Sequence, residues 1–376
     1  MSGIYIHIPF CRQACHYCDF HFSTKTTTLE PVINAIIKEM KLRRNYLDLE
    51  NDEVTTLYFG GGTPSLAGAE NISLLIDAVQ HHFGLAHGAE VTLEANPDDF
   101  YHPQIIKSFK QAGINRLSLG IQSFHNEQLK HLNRAHDAAQ AIGAVKTAQD
   151  LGLENISIDL IYALPGSTQK SWQQDLDKAL ELNVPHISSY CLTIEDKTVF
   201  GNRVKKGIMK PVDEDRAAEQ FTQLVNVLTS NHFEHYEISN FCLPGQYSKH
   251  NTNYWKQVPY LGLGPSAHSF NRVGRQYNVA NNVLYYQAIN ENKIPATTET
   301  LSREDQINEY LMTGLRTRWG CELNIFKNTF NYDLVAEQGE KLREMEPLVT
   351  IENNTLLLTE KGKLFADQVA WELFII

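Results

Sequence analysis

Apolar residues follow two alternating patterns along the first 200 residues of the chain. Short apolar runs, typical of buried strands, are each followed by a stretch in which apolar residues recur at helical spacing. The predicted strands are Gly3–Ile8, Val54–Phe59, Glu90–Ala95, Arg116–Ile121, Asn155–Tyr162 and His186–Thr193. The predicted helices are Pro31–Leu47, Asn71–His82, Pro103–Gln111, Ala138–Leu151 and Lys170–Leu182. Repeated units of this kind form a parallel sheet with helices outside it.

The ends of three predicted helices support this repeat. Gly113 and Gly152 follow two of the helices, and Asn183 follows a third, each directly before the next strand. Glycine and asparagine adopt the left-handed conformation that commonly ends a helix, so we expect it at all three. The six units predict an α/β fold with an open, partial (β/α)6 barrel related to the TIM barrel.

Polar or flexible residues follow the predicted strands. In barrels of this type, side chains that do chemistry lie at the carboxyl ends of the strands. Any single case is compatible with a turn or a helix cap, but five together indicate a site. The segments are a loop with three cysteines, "GGGTP" (60–64), "LEANP" with Glu94, "GIQSF" with Gln122, and "IDLIYALPG" with Asp159 and Ile161.

The pattern changes after residue 205. Asp213–Leu228 is predicted as a helix, and Asn240–Gly274 as an irregular stretch rich in glycine, proline, asparagine and tyrosine. The last unit contains two short strands with a turn at Asn353 and Asn354, then a helix, and resembles a winged helix. We therefore predict a barrel domain over 1–205, a linker helix and irregular ligand-facing segment over 206–300, and a winged-helix-like domain over 301–376.

Composition restricts the class of function. The chain has 376 residues and a net charge of −11, from 44 acidic and 33 basic side chains. This balance argues against a general affinity for nucleic acids. No apolar stretch approaches the ~20 residues of a membrane span, and the N-terminus lacks the features of an export signal. We expect a cytoplasmic protein with at most peripheral membrane contact. Its cysteines are then more typical of metal binding or catalysis than of disulfides.

Cys11, Cys15 and Cys18 are grouped in one loop after the first strand. Thiolates are the usual ligands of iron–sulfur clusters, and a [4Fe–4S] cluster normally takes four. Three cysteines would leave one iron open, as expected of a reactive site rather than a structural one. A zinc site completed by His16 or His21 and a set of surface thiols without metal are the alternatives.

The CxxxCxxC spacing in this position resembles the radical S-adenosylmethionine (SAM) superfamily. The segments "YIHIPFCRQACHYCDF", "GGGTP", "LEANP", "GIQSF…LNRAHD" and "DLIYALPGST" resemble its coproporphyrinogen dehydrogenase (HemN-like) branch. The resemblance implies that the open iron binds SAM, which is cleaved by one electron to methionine and a 5′-deoxyadenosyl radical. It implies that the SAM-binding residues are Tyr5, Tyr17, Gly61, Gly62, Thr63, Glu94, Gln122, Arg134, Asp159 and Ile161. Arg134 would pair with the SAM carboxylate, and Asp159 would bind the ribose hydroxyls.

One departure from the branch separates two functions. The resemblance implies that the decarboxylating enzymes carry a further cysteine where this chain has Phe20, and an N-terminal arm that we do not expect here, since the sequence begins at the barrel. Both features resemble the shorter HemW group, which is regarded as a group of heme chaperones. "KHNTNYW" (249–255) matches the HNxxYW pattern of its heme-binding members, so that His250, Asn251, Tyr254 and Trp255 would bind heme. Histidine is a common axial ligand of heme iron, and His268 is a second candidate.

Two functions follow from this resemblance. The first is a chaperone that passes heme to acceptor proteins, with dimerisation as a further expectation. The second is an oxygen-independent coproporphyrinogen III oxidase, which would use the 5′-deoxyadenosyl radical to decarboxylate propionates. The sequence leaves open whether SAM is turned over, and hence whether the chain is an enzyme. The low number of Arg and Lys residues near the cysteine loop favours the chaperone.

Overall fold

Six parallel strands form the barrel wall of this computed structural model. The structure describes residues 1–100 and 102–375. These strands pair in the order in which they occur along the chain, so the predicted partial barrel is confirmed. The strands are β1 (Ser2–Ile8), β2 (Val54–Gly61), β3 (Glu90–Ala95), β4 (Arg116–Gln122), β5 (Ile156–Tyr162) and β6 (His186–Cys191).

Helices connect these strands and cover the outside of the sheet. They are α1 (Leu29–Leu42), α2 (Gly68–Phe83), α3 (Pro103–Gln111), α4 (Asn126–His131), α5 (Ala138–Asp150), α6 (Gln169–Glu181), α7 (Val199–Lys205) and α8 (Glu214–Ser230). The predicted left-handed residues are confirmed, with φ of +107° at Gly113, +73° at Gly152 and +52° at Asn183. Within the described ranges, no helix combines the length and the apolar character needed to cross a membrane.

Residues 231–300 extend the sheet at both edges. Asn240–Gly274, predicted as irregular, instead contains short strands and one short helix, which glycine and proline residues separate. The elements of the whole region 231–300 are β7 (Glu234–Glu237), β8 (Asn240–Cys242), α9 (Lys249–Trp255), β9 (Tyr260–Leu263), β10 (His268–Phe270), β11 (Gly274–Asn278), α10 (Asn282–Asn290) and β12 (Ala296–Thr300). β8 pairs with β6, and β9 pairs with β1. Residues 260–300, which continue the sheet beyond β1, are called the arm below.

Buried charged residues attach the arm to the barrel. Arg43 on α1 donates to the carbonyl oxygen of Gly262 at 3.0 Å, and Asn278 donates to the carboxylate of Glu39 at 2.8 Å. Glu39 and Arg43 also pair with each other and are almost completely buried. Buried charges that are paired and hydrogen-bonded in this way define one orientation of the elements they join.

The C-terminal unit has a hydrophobic core of its own, separate from the barrel core. Its elements are α11 (Arg303–Leu315), β13 (Cys321–Glu322), α12 (Leu323–Phe330), α13 (Leu334–Glu344), β14 (Val349–Glu352), β15 (Thr355–Leu358) and α14 (Ala366–Glu372). β14 and β15 pair as a hairpin whose turn residues, Asn353 and Asn354, both have positive φ. The predicted two-stranded wing is therefore present.

Candidate functional site

A cavity of about 630 Å³ lies at the carboxyl ends of the barrel strands. Each of the strands β2 to β6 contributes residues to it, together with the cysteine loop after β1. The predicted residues that line this cavity are Cys11, Cys15, Cys18, Tyr17, Gly61, Gly62, Thr63, Glu94, Gln122, Arg134, Asp159 and Ile161. Tyr5 does not line it, because its ring lies beneath Gly60. The fold thus gathers nearly all of the predicted SAM ligands at one place.

The three cysteines of the loop are partly exposed and free of disulfides. Thr63 Oγ1 donates to Cys11 Sγ at 3.6 Å, and Arg134 Nη1 donates to Cys15 Sγ at 3.3 Å. Burial raises the pKa of the Cys11 thiol to about 11. Because metals bind the thiolate, binding there releases protons.

The zinc alternative requires a histidine beside the cysteines. His16 Nδ1 is hydrogen-bonded to the carbonyl oxygen of His131 at 2.9 Å, and His21 Nε2 to Asn282 Oδ1 at 2.8 Å. Among the described residues, no three Cys, His, Asp or Glu side chains converge on one metal position. One ring nitrogen of each histidine is thus engaged away from the thiols, whereas a cluster needs only the three thiolates, each on a different iron.

The glycines of "GGGTP" hold β2 close to β1 and to the cysteine loop. A Cβ on Gly62 would lie 2.7 Å from the carbonyl oxygen of Phe10, and one on Gly61 would lie 2.9 Å from the ring of His7. Gly62 N donates to the carbonyl oxygen of Ile8 at 3.0 Å. The structural requirement for glycine here is the close packing of two chain segments, in addition to the ligand approach expected from the sequence.

Two carboxylates face the cavity from neighbouring parts of the wall. Glu94 Oε1 accepts a hydrogen bond from Tyr58 Oη at 2.7 Å, and Asp159 accepts from Ser118 Oγ at about 3.4 Å. Burial raises the pKa of Glu94 to about 7 and that of Asp159 to about 6. Glu94 is therefore close to half-ionised near neutral pH, whereas Asp159 is mostly ionised, and a cationic ligand would favour the charged form of each.

Arg134 connects the cysteine loop to β3 and β4. Its Nη2 donates to Asn96 Oδ1 at 2.5 Å and to the carbonyl oxygen of Gly120 at 2.6 Å. Its Nε is buried and has no hydrogen-bond partner among the described residues. Arg134 also lines the cavity, where its guanidinium supplies the positive charge that pairs with a ligand carboxylate.

Sequence reasoning missed several side chains of the cavity wall. Asn96 and Ser118 bond to predicted site residues, while Tyr190 and Phe20 lie at the rim. Strand periodicity could have identified Ser118, which lies two residues before Gly120 and therefore on the same face of β4. Cys191, the last residue of β6, is exposed and also lines the cavity.

The HNxxYW segment forms α9 and lies at the opposite end of the barrel. His250 is 1% exposed, with Nδ1 hydrogen-bonded to Thr56 Oγ1 and Nε2 to Tyr254 Oη, both at 2.8 Å. Its ring stacks on Tyr58 with 5.1 Å between centroids. In this arrangement neither ring nitrogen is free to bind iron, so the surroundings of His250 do not support its predicted role as an axial ligand.

The other residues of the segment are placed similarly. The Arg316 guanidinium lies over the Trp255 ring at 5.3 Å, and the ring of Tyr254 packs edge-on against Tyr260. The backbone N–H of His250 donates to Glu90 at 3.0 Å, at the first residue of β3. The segment thus closes the base of the barrel, and the role of His250, Asn251, Tyr254 and Trp255 in heme binding stays a prediction.

Comparison with known proteins places the chain in a family. The Radical SAM superfamily matches residues 5–179, and the HemN C-terminal domain matches residues 301–365. The heme chaperone HemW of Lactococcus lactis is 36% identical over all of this chain and 97% of that protein. The chain belongs to the HemW family. The HemW of Bacillus subtilis is 33% identical over 98% of each chain.

A solved structure supports the fold of this HemW-family chain. Coproporphyrinogen III oxidase (HemN) from Escherichia coli superposes with a TM-score of 0.85, covering 99% of this chain and 90% of that one. The sequence identity is 21%, so the likeness concerns the fold alone.

Membership of the radical SAM superfamily implies a [4Fe–4S] cluster and SAM, and the cavity residues of this HemW-family chain fit both groups. The three free cysteines of one loop all line this cavity, where each thiolate could bind a different iron. The positively charged Arg134 lines the cavity together with the carboxyl groups of Glu94 and Asp159. Such a mixture suits a ligand with a carboxylate and two positive groups, as SAM has. When bound, the cluster would supply one electron to SAM.

Proposed function

We propose that this chain is a heme chaperone that binds heme and passes it to acceptor proteins, using a [4Fe–4S] cluster and an exchangeable SAM. The observation that carries this proposal is the similarity to proteins named heme chaperone HemW over the full length of the chain, not over the barrel alone. The six free cysteines suit a reducing compartment, so we place this function in the cytoplasm.

In this proposal the two cofactors share the cavity at the carboxyl ends of the strands. Cys11, Cys15 and Cys18 hold the cluster. The remaining lining residues hold SAM, with Arg134 on its carboxylate and Asp159 on its ribose. Heme is the cargo and binds outside this group of residues. A homodimer and peripheral membrane contact are further expectations of the resemblance.

The second candidate is an oxygen-independent coproporphyrinogen III oxidase, which the shared fold with HemN favours. A substrate with four carboxylates needs several Arg or Lys side chains. Arg134 is the only such residue among those that line the described cavity, whereas four acidic residues line it: Asp19, Glu94, Asp159 and Glu195. The electrostatics therefore disfavour this substrate and rank the oxidase second.

One experiment separates the two functions. The protein is reconstituted with iron and sulfide without oxygen and then supplied with SAM, dithionite and either heme or coproporphyrinogen III. We expect stoichiometric heme absorbance that transfers to an apo-acceptor, and no protoporphyrinogen. Formation of protoporphyrinogen without retention of heme would reverse the ranking.

A further inference from the structure

His268 differs from the other histidines that face the inside of the sheet. His7, His186 and His250 each have both ring nitrogens in hydrogen bonds. His268 is exposed, and neither of its ring nitrogens has a hydrogen-bond partner among the described residues. An imidazole with a free nitrogen is available to a ligand, whereas one with both nitrogens engaged is not.

The register of the arm places His268 on the inner face. Ser269 and Gln276 point outward, since both are hydrogen-bonded to Nη2 of Arg43 on α1. Side chains alternate along a strand, so His268 points to the opposite face. Tyr277, which pairs directly with His268 across the strands, points to that face as well.

The surroundings of His268 suit a flat aromatic ligand. The rings of His268 and Tyr277 stack with 5.6 Å between centroids, and Tyr277 is 41% exposed. On the same face Phe270 is buried and lies near Tyr260, with 6.5 Å between ring centroids, so the aromatic surface offered to a ligand is that of His268 and Tyr277. Aromatic side chains bind a porphyrin plane through large apolar contact area.

The inner face of the arm adjoins the cysteine loop. His7 on β1 is hydrogen-bonded to the carbonyl oxygen of His21, and the ring of His21 is bonded to Asn282 at the start of α10. A ligand on the inner face of the arm would therefore lie near the loop that would hold the cluster. Although His268 is exposed, the packing of neighbouring groups partly desolvates its ring, and this desolvation and the charge of Arg275 lower its pKa, which favours the neutral imidazole that binds a metal.

We propose that heme binds on the inner face of the arm with His268 as an axial ligand of its iron. This inference rests on the proposed function and assigns the iron ligand to the arm instead of to His250. Tyr277 contacts the porphyrin from the adjacent strand.

The test compares ferric heme with metal-free protoporphyrin IX, which has no iron to ligate, on the reconstituted full chain. His268→Ala is expected to weaken ferric heme binding by about tenfold or more and to change the Soret band, while protoporphyrin binding changes little. His268→Met is expected to retain heme with an altered spectrum and a higher reduction potential. His87→Ala, which removes an exposed imidazole near the start of β3, is the matched control and should behave as wild type.

Each outcome has one meaning. If wild-type protein binds no heme, the proposed function and this inference both fail. If wild type binds heme and His268→Ala binds it with the same affinity and spectrum, the inference alone is overturned. Equal weakening of heme and of metal-free porphyrin would also overturn it, because His268 would then contribute packing and no bond to iron.

Discussion

The two ends of the barrel differ in how many of their polar groups are already engaged. At the carboxyl end, the cavity contains three free thiols, the unused Nε of Arg134 and two carboxylates with raised pKa values. At the base, His250, Tyr254 and Thr56 satisfy one another. Both ends carry motifs that resemble ligand-binding segments of the same branch, but both ring nitrogens of His250 are engaged, whereas the three thiols of the cysteine loop are free of disulfides.

This difference shows what a motif match establishes. A motif match identifies a segment shared with the family. It does not tell whether the side chains of that segment bind a ligand or pack within the fold. The hydrogen bonds of each side chain separate the two. By this criterion the HNxxYW segment has a structural role at the base of the barrel. The available imidazole is that of His268, the second candidate ligand, in the segment "GPSAHSF" (264–270).

The largest effect is expected at the cavity end. Cys15→Ala should abolish cluster binding, because it removes one of three thiolates that each hold a different iron. Iron and sulfide content after anaerobic reconstitution should fall close to zero. The free energy of unfolding of the metal-free protein should change by less than about 1 kcal/mol, since Cys15 is partly exposed. Cys191→Ala, at the rim of the same cavity, is the control and should retain full iron content.

A substitution at the base of the barrel is expected to lower the free energy of unfolding. His250→Ala leaves the hydroxyls of Thr56 and Tyr254 without their partner in a buried site, at a cost of about 2–4 kcal/mol. Denaturant unfolding of the metal-free protein measures this change, and His87→Ala should stay within about 0.5 kcal/mol of wild type. A His250→Ala protein with unchanged stability and no heme binding would restore His250 as the iron ligand.

The sequence predicted the barrel more completely than the arm for a physical reason. β1 to β6 are buried on both faces and consist of apolar runs, whereas β11 and β12 read "GRQYN" and "ATTET". Such short polar strands have no apolar alternation to recognise. β11 pairs with β10 on one side and with β12 on the other, and the buried Glu39 and Arg43, far away in the chain, hold the arm in place. No local pattern indicates these contacts.

The candidate site was predictable to the extent that its residues follow strands. The cysteine loop, Glu94 and Asp159 all lie at strand ends, where barrel geometry brings them together. Which side chains have their polar atoms engaged in hydrogen bonds was not predictable in the same way. Whether the ring nitrogens of His250 and His268 are engaged depends in part on Thr56, which bonds to His250, and on Arg43, which orients the arm, and both are distant in sequence from the histidines.

The smallest effect expected is a pH dependence confined to the cavity end. Because Glu94 has a pKa of about 7, its charged form falls to about one tenth near pH 6. SAM carries positive groups that favour the carboxylate, so its affinity for the reconstituted protein should fall about tenfold between about pH 8 and pH 6. Titration calorimetry measures this change. Glu94→Gln should reduce this pH dependence of SAM affinity. Glu154→Gln, at an exposed position, should leave the pH dependence unchanged.

Stability without SAM should change with pH in the opposite direction. A carboxyl whose pKa is raised in the folded state binds its proton more tightly there than in the unfolded chain. Its contribution to stability is therefore lost as pH rises from the ordinary value of 4.5 to about 7. Opposite slopes for SAM affinity and for stability in wild type, both reduced by Glu94→Gln, would assign the titration to Glu94. An affinity for SAM that is independent of pH would place the positive groups of SAM away from Glu94 and shift the ligand toward Asp159.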